Sequence, residues 1–171
     1  MPVDRRLMFM KAGSNKKQAK IGLLKEHTLL KGYAEIIDLC DMRIALLQSE
    51  IDYCETTSAM FETRSALEGV SRGWRSTLKS KAVKEMANAR AHRVMLNEFL
   101  RVKDESMKRF EDAIGKYPEK WKTAMRKRYL EMKGYGKIQE EMGLSSEEYA
   151  PIKRRMKRME GKDGQKTQHE S

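Results

Sequence analysis

Four cations stand close together near the carboxyl end: Lys153, Arg154, Lys157 and Arg158, with Arg155 between them. A spacing of one, three and four residues puts most of such a set on one side of a helix. Guanidinium and ammonium groups arranged this way can hold phosphate oxygens or bond to base edges. The residues ahead of them explain how they would be aimed. Tyr149, Ile152, Met156 and Met159 recur at spacings of 3, 4 and 3, which predicts an apolar face packed inward. Ser146, Glu147, Ala150, Lys153 and Arg154 then lie outward, near the helix start. They are the candidates for reading bases in a major groove. Lys157 and Arg158, with Lys122, Arg126, Lys127 and Arg128 from an earlier helix, are the candidates for phosphate contact.

The elements that must position these side chains can be read just upstream. Pro118 suits a helix that starts after it, and Trp121, Met125, Tyr129 and Met132 line one side of a segment expected to run from Glu119 to Met132. A short second helix is expected from Tyr135 or Gly136 to Met142, with Ile138 and Met142 inward. Gly143 suits a left-handed turn residue, because it has no Cβ to clash there. Ser145 or Ser146 caps the third helix, and Glu148 stands three residues after Ser145, the capping-box spacing. Helix, tight turn and cationic helix together form the layout of a helix-turn-helix.

The segment from Tyr117 to Met159 resembles the C-terminal helix-turn-helix of phage late-gene transcriptional regulators of the ArpU and RinA type. It is similar, more distantly, to the promoter-reading C-terminal module of sigma factors. The residues that carry the likeness are Arg128-Tyr129-Leu130, Ile138, Glu141, Gly143-Leu144-Ser145, Tyr149, Ile152-Lys153-Arg154 and Met156. The resemblance implies sequence-specific binding of double-stranded DNA and transcription regulation. Two positions depart from the pattern. Gln139 stands where the second helix usually has a small residue. Pro151 falls inside the third helix if a serine is its cap, removing one hydrogen bond at a cost of about 3 kcal/mol or a kink. Alternatively the helix proper starts at Pro151.

The rest of the chain reads as a long helical support. The 171 residues are 36% charged and 39% hydrophobic, with 3 prolines far apart, which favours helices over strands. Leu30, Ile37, Ile44 and Ile51 recur every seven residues. Tyr33, Cys40, Leu47, Cys54 and Phe61 recur three residues later. This is the a/d signature of a helix seam, with Leu29 and Ile36 widening it. A break is possible at Thr56-Thr57-Ser58, where three hydroxyls compete for backbone hydrogen bonds. Gly69 to Gly73 ends the first helix. A second is expected from about Ser76 to Ile114, with Ala82, Met86, Ala89, Leu96, Leu100, Met107, Phe110 and Ile114 apolar, and Arg93 and Lys103 interrupting the stripe. The expected fold is therefore all-α, a long antiparallel coiled-coil-like hairpin over 21–115 followed by a three-helix helix-turn-helix unit over 116–160. A basic N-terminal arm (1–20) and a tail (161–171) are expected to lack stable structure.

Charge sorts along the same divisions. The net charge is +11, yet residues 21–68 carry 4 basic and 9 acidic side chains against 11 and 6 in 69–115. An acidic helix beside a basic one suits a hairpin, and the overall surplus suits a polyanionic partner. The seven cations between Arg72 and Arg93 face only Glu85 in their own stretch. They either pair with the first helix or contact phosphate. A hairpin this thin buries little surface per residue, so a homo-oligomer, with a dimer favoured, is expected.

Cys40 and Cys54 lie two heptads apart on one face, too far to bond within a straight helix. They read as buried thiols, with a disulfide across a dimer seam as the alternative. The 3 histidines are scattered, so no metal centre is expected. No cofactor is implied, and there is no paired-carboxylate site, base-activated nucleophile or Gly-rich phosphate loop to make an enzyme. No apolar run approaches a membrane span, and no signal-peptide core follows the first residues, so a cytoplasmic place in a bacterial host is expected. The leading expectation is a DNA-binding regulator, phage or prophage encoded, with RNA polymerase as a possible contact. A terminase small-subunit-like packaging protein and a helical protein–protein adaptor are the alternatives.

Overall fold

A computed structural model gives the architecture. It describes the backbone of residues 5–162 and side chains from residue 18 onward. Five helices follow one another: α1 (Arg5–Ala66), α2 (Arg72–Ile114), α3 (Glu119–Tyr129), α4 (Tyr135–Met142) and α5 (Ser146–Met159). The described residues contain no strand. The all-α expectation holds, and α1 and α2 pack against each other as the long pair. Helix α1 begins at Arg5, inside the stretch expected to be an arm without stable structure. The tail beyond Lys162 lies outside the described residues.

The chain divides into two compact units. One is built from residues 36–107, the paired lengths of α1 and α2. Ile37, Cys40, Leu47, Ile51 and Cys54 are buried there, as the heptads require. No break occurs at Thr56-Thr57-Ser58; α1 is continuous. Ser58 instead uses its buried hydroxyl across the pair, donating to the Ala82 carbonyl at 3.0 Å. That bond satisfies a hydroxyl that would otherwise be costly to bury. On α2 the seam is Leu78, Ala82 and Ala89, with Leu96 and Phe99 half-buried. Leu100, expected to be inward, is 40% exposed. The correction has a simple cause. Alternating steps of four and three from Leu78 lead through Glu85, His92 and Lys103, so the seam admits polar residues that disguise its register in the sequence. Their partners sit opposite: Lys103 bonds to Asp41, Arg93 to Glu55, and His92 lies 3.7 Å from Glu50. These cross-pairs account for part of the basic charge of α2, as the charge sorting of the two helices expects. Cys40 and Cys54 are free and buried within this seam, where burial pushes both thiols above their ordinary value.

The other unit comprises residues up to Glu35 and from Lys108 onward. Its core joins Leu30 of α1, Phe110 and Ile114 of α2, Ala124, Met125 and Tyr129 of α3, Ile138 of α4, and Tyr149, Ile152, Met156 and Met159 of α5. Helix α3 ends at Tyr129, three residues short of the expected Met132. Met132 takes a positive φ of 50° and is 75% exposed, so it does not belong to the inward side as the spacing predicted. The chain must reverse before α4, and the reversal carries Met132 out of the helical register.

Candidate nucleic-acid interface

Helices α4 and α5 meet across a turn that the sequence specifies locally. Gly143 closes α4 at φ 60°, ψ 31°, the left-handed conformation that costs an L-residue about 1 kcal/mol or more. Ser145 is the N-cap of α5. Its hydroxyl accepts from the Glu148 amide at 3.2 Å, and the Glu148 carboxylate accepts from the Ser145 amide at 3.1 Å. Gln139, the departure from the small-residue pattern, spans the turn. Its amide nitrogen reaches the Leu144 carbonyl and the Ser146 hydroxyl, both at 3.3 Å. Lys120 of α3 bonds to Glu148 at 3.1 Å and ties the start of α5 to α3. Hydrogen bonds from Lys120 and Ser145 hold the Glu148 carboxyl below its ordinary value.

The place of Pro151 is settled by this cap. Helix α5 starts at Ser146 and continues through Pro151. The ring lies on an exposed turn, and the Glu147 residue whose carbonyl loses an amide donor is exposed as well. Water can solvate that carbonyl, so the helix is not broken.

The inner face of α5 is Tyr149, Ile152, Met156 and Met159, each at most 2% exposed. Arg155 is half-buried and turned toward Tyr117 and Glu26. It donates to the Tyr117 hydroxyl at 2.9 Å and lies 3.6 Å from Glu26. Outward stand Ser146, Glu147, Arg154 and Arg158, exposed, with Ala150, Lys153 and Lys157 half-buried at the edges. The five residues proposed as base readers therefore share one outward face of one helix. Lys157 Nζ stacks 5.9 Å from the Tyr135 ring centre, which leaves its charge at the surface.

The α3 cations are placed differently. Arg126 makes a two-pronged pair with Glu111, both bonds 2.7 Å, and a third bond to Glu119 at 3.1 Å. Lys122 lies 3.2 Å from Glu119. Lys127 bonds to Glu141 at 2.7 Å, and Lys133 shares that carboxylate. The Lys127 and Lys133 bonds hold Glu141 down at about 2. Arg128 donates to Glu160 at 2.6 and 3.1 Å and to the Lys133 carbonyl at 3.0 Å, with its guanidinium 4.6 Å from the Tyr135 ring centre. Glu160 is almost fully buried, its side chain 5% exposed. Burial alone would raise its carboxyl, but Arg128 and Lys162 outweigh burial and bring it down to about 2. Arg126, Lys127 and Arg128 thus tie α3 to α2, to α4 and to the end of α5, while Lys122 pairs within α3 itself.

Lys137 was not singled out from the sequence. It is exposed near the start of α4, on the side away from Ile138. The period of Ile138 and Met142 carried the signal, since it turns Lys137 outward.

Among the described residues no group of acidic, His or Cys side chains could hold a metal ion, and no helix is long and apolar enough to cross a membrane. No family model, curated protein or solved structure matches this chain.

Proposed function

We propose that the chain is a sequence-specific, double-stranded DNA-binding protein that acts in transcription regulation as a dimer. The outward face of α5 is its reading surface. One observation carries this reading: the inner side of α5 is wholly taken up by the core, while the side bearing Ser146, Ala150, Lys153, Arg154, Lys157 and Arg158 is left out of it. A helix aimed by a rigid turn, with its N-terminal half outward, is what major-groove reading needs. In this reading Arg154 and Lys153 address base edges near Ser146, Glu147 and Ala150. Lys157, Arg158 and Lys137 address phosphates. The α3 cations act indirectly, by holding α3, α4 and the end of α5 in place. The likeness to phage late-gene regulators supports the same conclusion, and contact with RNA polymerase is part of the proposal only through that likeness.

The test begins with recovery of bound fragments from a genomic library, which defines the preferred duplex. Anisotropy titrations then compare that duplex with a random one. Preference for the selected sequence, weakened by salt, supports the proposal. Binding that ignores sequence and salt, or no binding at all, overturns it in favour of a protein-binding adaptor.

A further inference from the structure

A row of large apolar side chains runs along α1, its last member Leu67 just past the helix end, on a side that the hairpin does not use. Leu39, Leu46, Tyr53, Met60 and Leu67 follow one another at intervals of seven, and they are between 44% and 69% exposed. They sit in the same heptads as the seam but at a different position, so α1 carries two apolar stripes. Ser49, Thr56 and Thr63 lie beside the second stripe, and their short uncharged side chains allow close approach. Arg43, Glu50 and Arg64 border it on the opposite edge, as a polar rim does.

We infer that this stripe is the interface with a second copy of the chain, packed antiparallel about a twofold axis at Tyr53. Two features fit that occupant. The stripe is palindromic: Leu39 and Leu67 are equidistant from Tyr53, as are Leu46 and Met60. An isologous interface requires such self-complementarity, because residue i must meet j while j meets i. Leu39 would meet Leu67 of the second copy, Leu46 would meet Met60, and Tyr53 would meet itself. The area also fits. The row extends about 42 Å along the helix. Half-exposed side chains of this size, with neighbouring Met42, present on the order of 600 Å² per chain, more than monomers commonly leave open and close to one side of a standard interface.

This deepens the dimer part of the proposed function but uses none of the α5 residues, so DNA binding could fail with the dimer intact. The experiment measures the mass of the full chain in solution without DNA. Twice the 19.9 kDa chain mass is expected. Tyr53→Glu and Leu46→Lys should each give the single-chain mass with helical circular dichroism unchanged. Val94→Glu, on an exposed apolar residue of α2, should remain dimeric. The order of the copies is read with a short bismaleimide. Tyr53→Cys should crosslink to itself, whereas Leu39→Cys should crosslink only when mixed with Leu67→Cys. A single-chain mass for the unaltered protein overturns the inference, as does a stripe variant that stays dimeric. Self-crosslinking of Leu39→Cys overturns the antiparallel order.

Discussion

At the scale of single residues, cations that look alike in sequence divide by what they touch. Arg154 is exposed on the outward face of α5, whereas Arg128 is bound to Glu160 and packed on Tyr135. Arg154→Ala should reduce discrimination between the selected and random duplexes by roughly tenfold, the effect of one lost base contact, with stability unchanged. Arg158→Ala should weaken both duplexes alike. Parallel titrations check this, and equal negligible effects on both duplexes would remove the assignment. Arg128→Ala should act on stability instead. It leaves the largely buried Glu160 carboxylate with Lys162 as its remaining cation, which should cost about 2 kcal/mol in a denaturant titration. The same pair makes the fold acid-sensitive. Glu160 titrates at about 2 in the folded chain against an ordinary 4.5, so its contribution is complete above about pH 4.5 and is lost as pH falls toward 2. Glu160→Gln should flatten that acid limb of a stability–pH profile while lowering stability at neutral pH.

At the scale of elements, the α4–α5 turn depends on two local devices with separable strengths. An added Cβ at Gly143 would meet nothing within 4 Å, so its substitution tests backbone strain alone. Gly143→Ala should cost about 1 kcal/mol, and Gly143→Asn less, since asparagine tolerates the left-handed region better. Ser145→Ala removes the hydroxyl half of the capping box and should also cost about 1 kcal/mol. Thermal melts check all three. If the turn aims α5, each variant should weaken the selected duplex more than the random one even where the chain remains folded.

At the scale of the whole molecule, the distribution of paired and outward charge sets the salt dependence of binding. Six phosphate contacts, the number read from sequence, would give a slope of log K against log salt near −5 per reading unit. Three phosphate contacts, from Lys137, Lys157 and Arg158 on the outward sides of α4 and α5, would give a slope of about −3. A salt titration on the random duplex distinguishes the two. The long pair of helices contributes differently. Its seam uses one stripe of α1 and leaves another on the surface, so the proposed assembly and the proposed DNA reading would rest on separate residues and should be separable by mutation.

The sequence by itself determined whatever depends on neighbours along the chain. Heptad spacing marked Leu30 to Phe61 as a seam, and the Ser145–Glu148 interval marked the cap. Gly143 marked the turn, and the 3-4-3 spacing marked the buried side of α5. Each follows from helix period or backbone geometry, which a few residues suffice to set. The tertiary structure alone decided the pairings between distant residues. Nothing local distinguishes Arg128 from Arg154; their fates differ because Glu160 lies 32 positions from the first and beside it in space. Likewise, Lys103 and Ser58 appear to break a stripe until Asp41 and the Ala82 carbonyl are seen opposite them. Charge complementarity and buried hydrogen bonds act through space, at separations a periodic pattern does not encode.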